Sequence, residues 1–245
     1  MVKTIQKPSF REVVAVTTMN LDDVNLKFNS QRVGPMNFAG LRTANYGPGF
    51  RMPTMPELTN LVYASLEHQN KETAKNVVET LRNHWLTGDT GILYTKDGMF
   101  VQDNPGMTNG RVVMNQKTLE RKLGKHEERG VTFSNDGSLR FTPYGFKRES
   151  QTASELAKNS GVIALVGSEE NAEKLAKSSQ HYRVNPYFWV LSKVENPETR
   201  VAALSSDDFD GRLDVGAGLS GDYGSRYSFG VFGVSEGAAG AAPKK

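Results

Sequence analysis

The chain has 245 residues, 37% of them hydrophobic, and a net charge of +3 from 30 basic and 27 acidic side chains; that apolar content can build a core and excludes global disorder. So small a basic excess is no phosphate-tracking stripe, and no nucleic-acid partner is indicated. The absence of cysteine removes disulfides, thiolate catalysis, cysteine-ligated zinc and iron–sulfur clusters.

The N-terminus has no apolar run of the signal-peptide kind, and no stretch approaches the ~18 consecutive apolar residues of a membrane span. The chain is expected to be made in the cytoplasm, its final location, cell surface or virion, being left open. The first fifty residues read as strands and loops, with a Val-rich run at Val13, Val14 and Val16 and an alternation through Val24, Leu26 and Phe28. A helix should start at Thr54, where Thr54 and Glu57 make a capping box and Pro56 sits in the first turn. Leu58, Leu61, Val62 and Leu66 then share one face. A second helix is expected from about Lys71 to Leu86, since Ala74, Val77, Val78, Leu81 and Trp85 recur at helical spacing and Gly88 follows as a stop.

Beyond residue 90 the period changes. Ile92–Tyr94 and Met99–Val101 flank Lys96-Asp97-Gly98, and Val131–Ser134 and Leu139–Phe141 flank Asn135-Asp136-Gly137, which predicts two hairpins. A short helix is expected over Thr118–Leu123, a buried strand over Gly161–Val166, a helix capped by Ser168 running to about Lys177, and an extended run over Val184–Val190. Val201–Leu204, Leu213–Val215 and Phe229–Val231 read as further strands between loops rich in Gly, Ser and Asp. Residues 236–245 carry almost no side chains able to pack and are expected to be a tail.

Few motifs point to chemistry. His68, His84, His126 and His181 fall at no metal-binding spacing, and neither a Walker loop, a Rossmann fingerprint nor a Gly-x-Ser-x-Gly elbow occurs in a suitable context. Asp207, Asp208 and Asp210 could offer carboxylates to calcium or to a metal-dependent hydrolase, but no EF-hand loop surrounds them and a solvated turn accounts for them as well. Trp85 and Trp189 are taken as core residues. No cofactor is expected.

Residues 201–232 stand out. They contain no Lys, Glu, Gln, Met or Trp, although these types make up 49 of the 245 residues, so that about 6 would be expected there by proportion. Long side chains lose much rotamer freedom when a partner immobilises them. Tyr, Ser, Gly and Asp give contact area or adaptable hydrogen bonds at lower cost, as in antibody paratopes. The segment reads as a recognition surface; the competing reading is a set of ordinary turns in a β-rich C-terminus.

The chain resembles the variable proteins of diversity-generating retroelements, including those of archaea and their viruses, which have a C-type lectin fold. The resemblance rests on Gly49-Phe50-Arg51-Met52-Pro53-Thr54-Met55-Pro56-Glu57-Leu58, similar to the Arg-Leu-Pro-Thr-x-x-Glu helix start of the sulfatase-modifying-factor-like branch. It rests also on Tyr187-Phe188-Trp189, Arg200-Val201-Ala202, Gly211-Arg212-Leu213 and Arg226-Tyr227-Ser228-Phe229-Gly230-Val231, in the order of that branch's last strands. The oxidising enzymes of the branch use a cysteine pair that this chain lacks, so their activity does not carry over. In the family, template adenines are randomised; an AAC codon can then become Asp, Ser, Tyr, Gly, Arg, Ala, Leu, Phe or Val but never Lys, Glu, Gln, Met or Trp, all five of which are absent from residues 201–232.

The resemblance implies an α+β, C-type lectin-like domain over residues 1–235, with two helices packed on antiparallel sheets, a loop-rich C-terminal region and an elaborated middle at about 90–180. It further implies a non-catalytic, hypervariable face for protein or cell-surface ligands. The expected contact positions are Ser205, Ser206, Asp207, Asp208, Asp210, Asp214, Leu219, Ser220, Asp222, Tyr223, Ser225 and Tyr227, with Tyr223 and Tyr227 as the best anchors. Two rivals stay open at this point: a metal-dependent enzyme using Asp207, Asp208 and Asp210, and a structural component of a virus whose C-terminal loops meet one fixed partner.

Overall fold

The computed structural model describes residues 11–13, 18–206, 211–219 and 224–233. Strands β1 (Arg11–Val13), β2 (Thr18–Leu21) and β3 (Leu26–Met36) form an antiparallel meander, with a 3-10 turn at Asp22–Val24 between the last two. Helix α1 (Phe38–Thr43) follows, its first turn capped by the Asn37 side chain, which accepts from the Gly40 N–H. Helix α2 (Met55–Glu67) starts as its sequence requires: the Thr54 N–H donates to Glu57 Oε2 at 2.7 Å, and the Arg51 guanidinium clasps the same carboxylate at 2.6 and 2.9 Å.

Helix α3 (Glu72–Asn83) ends before the expected Leu86, because the His84 N–H closes the last turn on Thr80 O and Trp85 opens strand β4 (Trp85–Tyr94). The helical spacing of Leu81 and Trp85 is therefore fortuitous. Gly88 is no helix stop; it lets β4 pass the start of α2, where an added Cβ would lie 2.9 Å from Met55 N. Strand β5 (Gly98–Asp103) completes the first expected hairpin. Then come β6 (Gly106–Thr108), β7 (Arg111–Val113), α4 (Gln116–Lys122), β8 (Leu123–Glu128) and the second expected hairpin, β9 (Val131–Ser134) with β10 (Leu139–Pro143).

After β11 (Glu149–Ser150) and α5 (Ala153–Lys158), the segment expected as a buried strand is instead helix α6 (Ser160–Val166). Asn159 caps it by accepting from the Gly161 N–H, and Gly167 closes it at φ 88°. Residues 161–166 are buried all round, so no polar stripe gives away the helical period. Helix α7 (Glu169–Ser179) starts at Ser168 as anticipated. Strands β12 (Tyr187–Trp189), β13 (Glu198–Ser205), β14 (Asp214–Leu219) and β15 (Arg226–Phe232) finish the described chain. Val14 and Val16 and the expected tail at 236–245 lie outside the described residues.

Among the described residues, thirteen strands join into one sheet, and β6 and β7 form a separate hairpin. One arm runs β1-β2-β3-β15-β4-β13-β14-β12-β11; a second leaves β4 through β5, β10, β9 and β8. The branch lies within β4: Trp85 and Leu86 pair with Arg226 and Tyr227 of β15, whereas Thr90 to Tyr94 pair with β5. At the junction Thr90 Oγ1 donates to Asp103 (2.6 Å) and accepts from Met55 N–H (2.8 Å), and Arg140 holds both oxygens of Asp103 at 2.6 and 2.9 Å. The start of α2 is thereby tied to the point where the sheet divides. The architecture is α+β, but seven helices occur among the described residues rather than two, and the sheet is mixed, β15–β4 and β12–β14 being parallel pairs.

The sheet has two unlike faces. Leu86, Ile92, Ala202, Leu204, Val215, Phe229 and Val231 point to a large core shared with α2, α3, α6 and α7. On the outer face Val201 belongs to a second cluster with Phe38, Leu41, Tyr46, Met52 and Val112, so α1 and the β6–β7 hairpin cover the middle of that face.

Candidate binding face

Strand register decides where the C-terminal segment presents itself. Arg226 pairs with Met36 on one side and Trp85 on the other; Leu86 pairs with Leu204, Ser205 with Asp214, and Asp214 with Tyr187. The start of β15, the end of β13 and the start of β14 thus meet at one end of the sheet. Because alternate residues of a strand face opposite sides, and Leu86, Leu204 and Val215 point to the helices, Trp85, Ser205 and Asp214 turn to the outer face.

Several expected contact positions form the floor of this region. Ser205, Ser206 and Asp214 are buried. The Ser206 N–H donates to Leu81 O at 2.7 Å, which docks the chain leaving β13 on the end of α3. Asp214 Oδ1 accepts from Arg212 Nε at 2.8 Å and Trp189 Nε1 at 3.3 Å. Tyr227 joins the helix-side core, with its ring 4.3 Å from that of His84 and the Arg32 guanidinium 5.0 Å from its centroid. Ser205, Ser206, Asp214 and Tyr227, expected as contact positions, are thus buried: Ser205 and Asp214 as the floor of the outer face and Tyr227 in the core. Ser205, Asp214 and Tyr227 lie in paired strands and Ser206 follows β13 against the end of α3, where side chains are packed. Ser225 is exposed. Leu219 ends β14 opposite Arg200, and its side chain lies outside the described residues, as do Asp207, Asp208, Asp210, Ser220, Asp222 and Tyr223.

Two of the residues exposed here, Trp85 and Trp189, were expected in the core. Trp85 is 39% and Trp189 46% exposed, with Met36 at 38%. Trp189 stacks on Tyr187 at 4.3 Å, and the Arg212 guanidinium lies 4.5 Å from the Tyr187 centroid. Gly216 makes room for this group, since an added Cβ would fall 2.6 Å from Trp189 Cβ. Each exposed aromatic stands next to a core residue, Trp85 beside Leu86 and Trp189 beside Phe188. That alternation was the signal available in the sequence; the general tendency of tryptophan towards burial obscured it.

Deeper on the outer face, Asp89 is buried beneath α1. It pairs with Arg42 Nε at 3.0 Å through one oxygen; the other, Oδ1, has no hydrogen-bond partner among the described residues. Burial pushes its carboxyl up to about 6; Arg42 opposes this and the Asp103 carboxylate adds to it. Among the described residues no three His, Asp or Glu side chains gather as metal ligands would, and no helix is long and apolar enough to cross a membrane.

No family model matches the sequence, and no curated protein matches it. A solved structure described as "Accommodation of massive sequence variation in Nanoarchaeota by the C-type lectin fold" superposes with a TM-score of 0.51 over 82% of this chain and 95% of that chain, at 17% identity. Similarity at that identity speaks to the fold, and the chain has a C-type lectin fold.

Proposed function

We propose that the protein is a non-catalytic ligand-binding protein whose C-terminal face, residues 201–232, is diversified by a retroelement to recognise protein or cell-surface targets. The observation that carries this reading is the composition of the segment: Lys, Glu, Gln, Met and Trp are all absent from it although they make up 49 of the 245 residues, and they are the types that adenine randomisation of an AAC codon cannot produce. Two further points support it. The solved structure of the same fold is described in terms of massive sequence variation. The segment also contains core-facing residues, Ala202, Leu204, Val215, Phe229 and Val231, in strands separated by stretches rich in Gly, Ser and Asp. A scaffold built this way can hold its core while residues at the connections change.

The test is genomic. A near-identical DNA repeat beside the gene, differing from codons 201–232 mainly at adenines and accompanied by a reverse transcriptase, is expected. A segment that is invariant among sibling genomes, with no such repeat, would contradict the reading and favour a fixed partner.

A further inference from the structure

The outer face at this end of the sheet is framed by large side chains from outside residues 201–232, exposed at Met36, Trp85 and Trp189 and half-buried at Tyr187. Met36 and Trp85 flank Arg226 on one side, and Tyr187 and Trp189 flank Asp214 on the other. The floor between them, Arg226, Ser205 and Asp214, is buried and polar. An added Cβ on Gly218 would come within 2.5 Å of Arg226 Nη2, although β4 and β13 lie between the two strands, so the face curves inward here.

We infer that Trp85 and Trp189, with Met36 and Tyr187, are a constant anchor for a folded protein partner, around which the diversified residues set specificity; this rests on the function proposed above. Trp, Tyr and Arg are the types that dominate protein–protein hot spots, and methionine is enriched at interfaces. Trp189 is preorganised: Asp214 accepts from its ring N–H, Tyr187 braces its ring and Gly216 seats its Cβ. A rigid aromatic loses little freedom on binding. The row draws on six strands, β3, β15, β4, β13, β14 and β12, or five inter-strand steps of about 4.8 Å, on the order of 24 Å along the sheet. That matches the footprint of a protein interface of about 800 Å² per partner rather than a small molecule. Neither tryptophan can arise within the diversified segment, so every variant inherits the same anchor.

The chain contains only two tryptophans, both in this frame, so its tryptophan emission reports on this face alone. The experiment displays the full chain with Asp207, Asp208, Asp210, Ser220, Asp222, Tyr223 and Ser225 randomised, in three versions: unchanged frame, Trp85→Ala and Trp189→Ala. Each is selected against ubiquitin, a folded protein without tryptophan, and in parallel against yeast mannan. Thermal melts confirm that the frame variants fold, and Trp189→Phe serves where Trp189→Ala does not. Ubiquitin binders are expected chiefly from the unchanged frame; binding should shift their emission to the blue, and restoring either alanine substitution should weaken affinity about tenfold or more. Binders with unmoved emission and unchanged affinity in both frame variants would overturn the anchor and leave the diversified face standing. Enrichment on mannan but not on ubiquitin would overturn the protein partner. Failure to obtain binders from any version would overturn the anchor together with the function on which it rests.

Discussion

Asp214 and Ser225 belong to the same compositionally unusual segment, yet the structure gives them opposite consequences. Asp214 is buried and holds both Arg212 and Trp189, so Asp214→Ala should cost about 1–3 kcal/mol by orphaning both donors; Ser225 is exposed, and Ser225→Ala should change stability by less than about 0.5 kcal/mol. Denaturant midpoints of the two variants check this, and equal midpoints would contradict it. Asp89 carries a pH dependence of defined sign. Burial pushes its folded carboxyl up to about 6 from an ordinary value of 3.8, so the fold takes up a proton more readily than the unfolded chain. The contribution of protonation to stability is complete below about pH 4 and is lost as pH rises through about 6. A difference of about two pKa units corresponds to about 3 kcal/mol. Asp89→Asn should remove that slope, so wild type minus variant should gain stability as pH falls from 7.5 to 5; parallel pH profiles would contradict the burial assigned to this carboxylate.

Elements were legible in the sequence where a local signal and the packing agreed. The start of α2 is an example: Thr54, Pro56 and Glu57 announce a capped helix, and the structure has the capping box with Arg51 added to it. The hairpins around Lys96-Asp97-Gly98 and Asn135-Asp136-Gly137 were readable from turn residues between apolar runs. Helix α6 was not, since complete burial erased the polar side of its pattern, and its real signals were the flanking Asn159 and Gly167. Asn159 also donates to Lys147 O at 2.7 Å and Gln151 Oε1 at 2.8 Å. Asn159→Ala should therefore cost about 1–3 kcal/mol, at the upper end of cap substitutions, measurable by thermal unfolding; a loss below about 0.5 kcal/mol would mean that the cap does not hold the helix. The boundary between α3 and β4 was unreadable because Trp85 follows Leu81 by four residues and continues the helical spacing into a strand.

At the scale of the molecule, the sheet brings β3 from the N-terminal third against β15 at the C-terminal end, and its strand order places Met36, Trp85 and Trp189 around residues 201–232. Spacing within the sequence could not reveal that assembly, since its members are contributed by six separate strands. The candidate site was thus half legible: composition located the segment, whereas register decided which of its side chains are floor and which residues of other strands surround it. Phe229 lies wholly in the core, and Phe229→Ala should cost about 3–5 kcal/mol through the cavity it leaves. The most direct measurement of the central claim is protease resistance across a pooled library in which Asp207, Asp208, Asp210, Ser220, Asp222, Tyr223 and Ser225 are randomised together. Most clones should resist digestion as the parent does, while a matched library at Ala202, Leu204, Val215, Phe229 and Val231 should be cleaved. If the first library is digested as readily as the second, the segment is an integral part of the folded interior and the account of a tolerant, diversified face is wrong.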